Sequence, residues 1–318
     1  ANGSVVSASF GPSQQRPFFS YFSVDLTSAY SAKIRNYVRT FCFLNLDNAQ
    51  TPAVLIVLDN MTTAKAEFRK YWQVNTLSTP EATDDGVVLR NEASDVTGKV
   101  SLRMLRPKPS DRDLQILSGK AAYNVFGKPF TPPKPSQPEA NGHRVLFSPA
   151  KERTNDVFLT VMSMSEELAP SVPIEMEELP EAFVLRLANR VVVLSRTGEL
   201  LKQPFQIRLA PDQNSQLLLA GLAPGAWSIR DQDGDVRFNT QVESDRNTAF
   251  FLLPGGEFTV HPEAIPGAPE FRASPDAMPS PTVPLTNRVF LDGKLAAIPP
   301  TRVVDTCQLL PAVELLDI

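Results

Sequence analysis

The sequence predicts an all-β fold: an antiparallel β-sandwich, a second smaller β-sandwich-like unit and a proline-rich tail. Apolar and polar residues alternate with a period of two over many short segments, as in half-buried strands. Turn residues separate these segments, and helical periodicity is almost absent. The 29 prolines outnumber the 15 glycines, and they cluster at 129–138, 170–180 and 262–300, where we expect loops or linkers.

The densest strand signal lies between Asp25 and Trp72. From Ile34 to Leu46 the even-numbered positions are largely apolar, whereas Lys33, Arg35 and Arg39 occupy the opposite face. The aliphatic run at 53–58 predicts a buried strand, and the alternation from 68 to 76 predicts another. Residues 1–20 are polar with one apolar spot, and we expect them to lie extended on a neighbouring surface.

The same patterns predict three parts of the chain. Residues 1–165 form the first β-sandwich, residues 181–262 a second small β domain, and residues 263–318 a proline-rich C-terminal tail. An acidic, proline-bearing connector separates the first two parts. The clearest signal in the second domain is DQDGD between two alternating segments. It predicts a β-hairpin, because glycine supplies the positive φ that a tight turn needs.

Composition argues against several classes of partner. The formal net charge is −4 and the pI is about 5.4, which is unfavourable for nucleic acid as the main partner. No apolar run approaches the roughly 18 residues that a membrane-spanning helix needs. The N-terminus has no signal-peptide pattern and no initiator methionine, so we expect a processed product or a piece of a longer chain.

Cysteine and histidine are scarce. Cys42 lies in an apolar run and is predicted to be a small buried side chain, while a Cys42–Cys307 disulfide is left open. His143 and His261 fall in no metal-ligand spacing, so neither a metal nor another cofactor is predicted. A Ser-His-Asp triad assembled from distant residues is left open.

Basic residues near aromatic rings form the sharpest candidate site. Guanidinium groups suit carboxylates and sulfates, and aromatic rings suit the faces of sugars, so an acidic polysaccharide is a sensible ligand. The alternative is a solvated sheet face or a set of ion pairs between domains. The candidate substrate-binding residues are Lys33, Arg35, Arg39, Arg69, Lys70 and Trp72.

Ordered blocks of the sequence resemble the heparinase II/III-like family of polysaccharide lyases. The blocks are DLTSAYSAKIRNYVRTFCFLNL, PAVLIVLDN, FRKYWQVNTLSTPE, FGKPF and DVFLTVMSM in the first unit, and RVVVLSRTGELL and LAPGAWSIR in the second. Together they cover residues 1 to about 262. The resemblance is to the C-terminal β-sandwich region of that family.

The resemblance implies a β-elimination enzyme acting beside a uronic acid, built from an α-helical toroid and C-terminal β-sandwiches. It also implies a bacterial protein with a periplasmic or extracellular location. The matched blocks do not include the toroid or its histidine-rich segment, so no catalytic residue is assigned. We therefore expect the non-catalytic β part of a lyase, which supports the toroid and the glycan groove. A freestanding acidic-glycan-binding or scaffolding protein is the alternative, and a complete lyase with an unrecognised site is a third possibility.

Overall fold

The computed structural model describes most of the chain. The described residues are 2–13, 17–91, 97–125, 127–130, 142–264, 266–267, 269–271 and four short strands between 289 and 309. Residues 131–138 of the predicted proline-rich loop and most of the predicted tail lie outside them.

Strands dominate the described residues, and none of those residues lies in an α-helix. The prediction of an all-β fold is therefore confirmed. The described residues also form three 3-10 helices, at Thr27–Ala29, Pro109–Asp111 and Gly119–Tyr123. The strands of the first half are β1 (Ser4–Pro12), β2 (Pro17–Asp25), β3 (Ile34–Asn45), β4 (Ala53–Thr63), β5 (Trp72–Thr76), β6 (Glu81–Ala82), β7 (Gly86–Arg90), β8 (Lys99–Arg106), β9 (Arg112–Ser118), β10 (Asn124–Val125), β11 (Lys128–Pro129), β12 (His143–Pro149) and β13 (Asn155–Ser165).

The strands of the second half follow the same short pattern. They are β14 (Glu175–Glu178), β15 (Ala182–Leu187), β16 (Arg190–Ser195), β17 (Phe205–Leu209), β18 (Ser215–Ala220), β19 (Gly225–Asp231), β20 (Val236–Val242), β21 (Thr248–Leu253), β22 (Gly256–His261), β23 (Val289–Leu291), β24 (Lys294–Ala296), β25 (Arg302–Val304) and β26 (Cys307–Leu309).

Four large sheets organise these strands. One has eight strands in the order β1-β2-β3-β4-β13-β8-β7-β6, and one has three in the order β5-β12-β9. The second half contributes a five-stranded sheet, β14-β15-β16-β18-β21, and a four-stranded sheet, β17-β22-β19-β20. Neighbouring strands in these sheets are antiparallel except for β16 and β18, which are parallel.

The four sheets stack face to face, with a hydrophobic core in each of the three gaps. Trp72, Phe147 and Phe158 help fill the gap between the three- and eight-stranded sheets. Cys42 and Leu185 lie in the gap between the eight- and five-stranded sheets. A third core, which includes Trp227 and Phe251, joins the five- and four-stranded sheets.

Strand β16 shows why strands of the inner sheets have continuous apolar sequences. Val191 and Val193 belong to the core shared with the four-stranded sheet, whereas Val192 and Leu194 belong to the core shared with the eight-stranded sheet. A strand covered on both faces has no solvent-facing side, so its sequence does not alternate.

The two halves of the chain share the central core. Phe19 on β2 stacks on Phe250 on β21 with ring centroids 5.5 Å apart. The Thr248 hydroxyl donates a hydrogen bond of 2.8 Å to the Ser9 hydroxyl on β1. The domain limits drawn from the sequence stay a prediction, but residues on both sides of the connector pack together.

Several local expectations are settled by the structure. Cys42 is free and fully buried, and burial raises the pKa of its thiol to about 12. The predicted hairpin joins β19 to β20 and contains Gly234 at φ +84°. Residues 4–12 and 17–25 differ from the expectation, because they pair as β1 and β2 at the edge of the eight-stranded sheet.

Candidate functional site

The structure separates the six predicted binding residues into an exposed group and a group with structural partners. Lys33, Arg35 and Arg69 have exposed side chains. Lys70 and Trp72 are buried, and Arg39 is partly buried in an ion pair. Binding of a glycan by the exposed group stays a prediction.

The structure corrects the prediction that Lys70 binds substrate, because its side chain does not face solvent. It is 5% exposed, and its ammonium lies 2.8 Å from the buried carboxylate of Asp156. The ammonium also donates hydrogen bonds to the carbonyl oxygens of Arg153 and Phe68 and to the Thr63 hydroxyl. The structure therefore gives Lys70 the role of holding loops together.

The structure also corrects the prediction that Trp72 binds substrate. It is 6% exposed and packs edge-on against Phe147, with ring centroids 6.1 Å apart. The period of two already places Lys70 and Trp72 on one side of the chain and Arg69 and Tyr71 on the other. The inner side belongs to the core, so neither Lys70 nor Trp72 offers a surface to a sugar.

Arg39 forms a two-pronged ion pair with the buried Asp59. Its Nε lies 2.6 Å from one carboxylate oxygen and its Nη2 lies 3.0 Å from the other. Burial acts to lower the pKa of Arg39, but the Asp59 carboxylate more than offsets this, so the pKa is raised. The Tyr37 hydroxyl donates a hydrogen bond to the same carboxylate.

Substituting Tyr37 by phenylalanine is expected to reduce the free energy of unfolding by about 1 kcal/mol, because one buried hydrogen bond is lost. Burial, followed by the negative charge of Asp59, raises the pKa of the Tyr37 hydroxyl above its usual 10.0. The unfolded chain therefore loses this proton first, and the wild type loses stability as the pH rises above about 10. Urea unfolding across alkaline pH checks this. As the pH rises, Tyr37→Phe should lose less free energy of unfolding than the wild type does. Substituting the exposed Tyr30 by phenylalanine serves as the control. An equal loss of stability in Tyr37→Phe and the wild type would contradict the raised pKa of Tyr37.

Three loops meet at one end of the eight-stranded sheet, and we call this region the three-loop end. It consists of residues 31–33, 64–71 and 150–154. The Ala64 amide donates to the Lys33 carbonyl at 2.8 Å, and the Thr63 amide donates to the Thr154 carbonyl at 2.8 Å. Lys70 adds its bond to the Arg153 carbonyl.

The three-loop end gathers five exposed cations. Two of them, Lys33 and Arg69, were predicted from the sequence, and three were not, since a lone cation in a loop carries no pattern. The register of β4 against β13 brings the two long loops together, and such long-range pairing is not readable from local sequence. The five cations are Lys33, Lys65, Arg69, Lys151 and Arg153.

A shallow pocket of about 260 Å³ opens between two of these loops. Its lining includes Phe68, Arg69 and Lys151. The ammonium groups of Lys33 and Lys65 lie 5.2 and 5.9 Å from the centroid of the Phe68 ring. Such cation–π contacts hold the charged groups near the ring without neutralising them.

A different part of the eight-stranded sheet presents exposed aromatic rings. Phe10, Phe22 and Phe43 lie on β1, β2 and β3 and are 51%, 38% and 40% exposed. The strand register places them on one face, where Phe22 is opposite the half-buried Phe41. We call these residues the aromatic face. The opposite side of the same strands packs into the central core through Tyr21 and other residues.

The two histidines are not brought together. His143 lies on β12 in the three-stranded sheet, where its ring nitrogen is 2.8 Å from the Ser118 hydroxyl. His261 lies on β22 in the four-stranded sheet, at the other end of the stack. Burial and the nearby Arg230 lower the pKa of His261. Among the described residues, no cluster of His, Cys, Asp and Glu could hold a metal ion.

A larger cleft of about 810 Å³ lies beside His261 and is lined by residues of both the four- and the five-stranded sheets. Its arginines face carboxylates: Arg186 is 2.7 Å from Glu177, and Arg208 pairs with Glu257. The charges in this cleft are therefore largely neutralised within the protein.

The helices of the structure were also compared with the requirements for crossing a membrane. Within the part of the chain that the structure describes, no helix combines the length and the apolar character that a membrane crossing requires.

Comparison with known proteins identifies a β domain related to polysaccharide lyases. Residues 177–262 match the family model of the heparinase II C-terminal domain. The resemblance to the C-terminal region of the heparinase II/III-like family is therefore confirmed for residues 177–262. The matched segment runs from β14 to β22 and includes the core between the five- and four-stranded sheets.

Solved structures of related enzymes also align with the chain. Heparan sulfate lyase HepC from Pedobacter heparinus aligns at 13% identity and a TM-score of 0.38, covering 61% of this chain and 28% of that enzyme. Heparinase III aligns at 11% identity and a TM-score of 0.37, covering 61% of this chain and 27% of that one. The alignments span less than a third of the length of these enzymes, and the resemblance rests on the family model over residues 177–262. No curated protein matches the chain.

Proposed function

We propose that this chain is the non-catalytic β part of a heparinase II/III-like polysaccharide lyase and that it supports an α-helical catalytic domain. The aromatic face carries this proposal. Three exposed phenylalanines side by side on a rigid sheet are costly in water, and such a patch is typical of a surface that another protein covers.

The packing behind the aromatic face suits a docking role. The strands that carry Phe10, Phe22 and Phe43 are held from behind by the central core, so little conformational entropy is lost on binding. Aromatic residues at the centre of an interface commonly supply most of its binding energy. Arg39, fixed by Asp59 beside these rings, adds a positioned cation to the same surface.

The catalytic groups are proposed to come from the partner. β-Elimination needs a base, an acid and a group that neutralises the carboxylate, all converging on one sugar. His143 and His261 lie in the two outermost sheets and cannot converge in this way. The substrate would be an acidic polysaccharide, and the location periplasmic or extracellular, as the family resemblance implies.

Calorimetric titration tests the proposal. The chain is titrated into an α-helical, histidine-bearing catalytic domain of a heparinase II/III-like lyase, produced as a separate protein. Saturable 1:1 binding with a negative heat-capacity change is expected, because apolar surface is buried. If no heat is released and no complex is seen on size-exclusion chromatography, docking is rejected. That result would favour the second candidate, a freestanding acidic-glycan-binding protein. The exposed cations of the three-loop end support this alternative.

A further inference from the structure

We propose that the three-loop end is a binding site for the sulfate or carboxylate groups of an acidic polysaccharide. The inference rests on the proposed function only for the class of polymer. The site itself follows from the position of its charges, and it is separate from the aromatic face.

The cations of the three-loop end are available to a ligand. Lys33, Lys151 and Arg153 make no ion pair with any residue that the structure describes. Lys65 pairs with Glu67 at 3.3 Å, with both side chains more than half exposed, and Arg69 pairs with Asp113 at the long distance of 3.9 Å. Exposed pairs of this kind are weak and exchange readily with other anions.

The three-loop end is positively charged, although the protein as a whole is negatively charged. The formal net charge is −4, yet the three loops carry five exposed cations and only two exposed acids, Glu67 and Glu152. Like charges held close together without a ligand repel one another. A bound polyanion would remove that repulsion, which favours anion binding here over a merely solvated surface.

The loops that carry these cations are fixed in place. The buried Lys70 bonds to the carbonyl oxygens of Phe68 and Arg153 and pairs with Asp156, so it connects the loop 64–71 to the loop 150–154. Arg69 and Lys151 then line the same pocket. Pre-organised cations bind an anion with a smaller loss of conformational entropy.

The shape of the region indicates which part of a polymer would be bound. The pocket of about 260 Å³ lies at the lower end of the size of small-molecule sites, so it has room for only a short part of a polymer. Arg69 and Lys151 in its lining outnumber the one exposed acid there, Glu152. Tyr71, 37% exposed next to Arg69, offers an aromatic ring to an adjacent sugar. Lys33 and Arg153 lie on the flanking loops, where neighbouring anionic groups of the polymer could reach them.

Heparin chromatography and calorimetry of the isolated chain test the site. The triple variant Lys33→Gln/Lys151→Gln/Arg153→Gln is expected to bind heparin oligosaccharide at least about tenfold more weakly. The slope of log affinity against log salt should fall by about three, one for each cation removed. The matched control, Lys108→Gln/Lys120→Gln/Lys202→Gln, removes the same charge from exposed positions elsewhere and should bind like the wild type.

Three outcomes would overturn the proposal. Unchanged binding in the triple variant rejects the site, and an equal loss in the control variant shows that net charge alone is responsible. DNA bound as tightly as heparin would reject a polysaccharide site in favour of general polyanion binding. Thermal melts confirm that each variant is folded. A Phe22→Ser variant, which alters the aromatic face, should keep wild-type heparin affinity, so failure here is distinguishable from failure of docking.

Discussion

Replacing Lys70 by methionine is expected to lower the free energy of unfolding by about 3–5 kcal/mol. The side chains of Lys70 and Asp156 are each only 4% exposed, and their charged atoms lie 2.8 Å apart. Loss of the ammonium leaves the Asp156 carboxylate buried without its counter-ion and leaves the Arg153 carbonyl without its donor. Urea unfolding followed by circular dichroism measures the change.

A double-substitution cycle separates the ion pair from simple packing. Asp156→Asn alone should also destabilise strongly, whereas Lys70→Met/Asp156→Leu should recover much of the loss, because an apolar pair leaves no buried charge. The exposed Lys65→Met is the control and should change stability by no more than about 0.5 kcal/mol. A Lys70→Met variant as stable as this control would show that the buried pair does not hold the loops.

The pH dependence of Lys70→Met provides an independent check. Burial raises the pKa of Asp156, and Lys70 opposes that rise. Without Lys70 the folded-state pKa rises further above the unfolded value, so the folded variant takes up a proton first as the pH falls. The stability deficit relative to the wild type should therefore be largest at neutral pH and shrink on acidification. A deficit that grows on acidification contradicts this account.

Phe22→Ser combined with Phe43→Ser is expected to weaken docking to the catalytic domain by about 100-fold or more. Each ring is a candidate hot spot, for which truncation commonly costs about 2 kcal/mol or more, and about 1.4 kcal/mol corresponds to a factor of ten. Both side chains are already more than a third exposed, so the isolated chain should stay folded. The measurement is the dissociation constant from calorimetric titration.

The matched control removes two exposed apolar side chains that lie away from the aromatic face. Phe130 is 58% exposed and Leu168 is 95% exposed, and Phe130→Ser/Leu168→Ser should dock like the wild type. Equal weakening in the two variants would mean that docking depends on general hydrophobicity. Unchanged docking in the Phe22/Phe43 variant would place the interface elsewhere.

Local periodicity predicted the strands but only part of their environment. The alternation around Cys42 correctly placed its face in the core. The same rule put Lys70 and Trp72 on one side of their segment, but it does not say which side is covered. Only the pairing of β5 with β12, residues far apart in sequence, closes a core over Trp72.

The candidate site was less predictable than the fold for the same reason. Lys33 and Arg69 stood out because they lie beside aromatic residues on apparent strands. Lys151 and Arg153 lie in a loop with no periodic signal, and they join the site only through the register of β4 and β13. The aromatic face was missed for two reasons. Phe10 is the one large apolar side chain near the end of a mostly small and polar strand. Phe22 belongs to a strand with aromatic residues on both faces, so its sequence does not show which face is covered.

The most direct measurement is the rate at which unsaturated uronate product forms, followed by ultraviolet absorbance. Acidic polysaccharide is incubated with this chain alone, with the α-helical catalytic protein alone, and with both together. If the chain supplies support and not chemistry, it forms no product alone, and adding it increases the activity or the heat resistance of the catalytic protein. Clear turnover by the isolated chain would contradict this account.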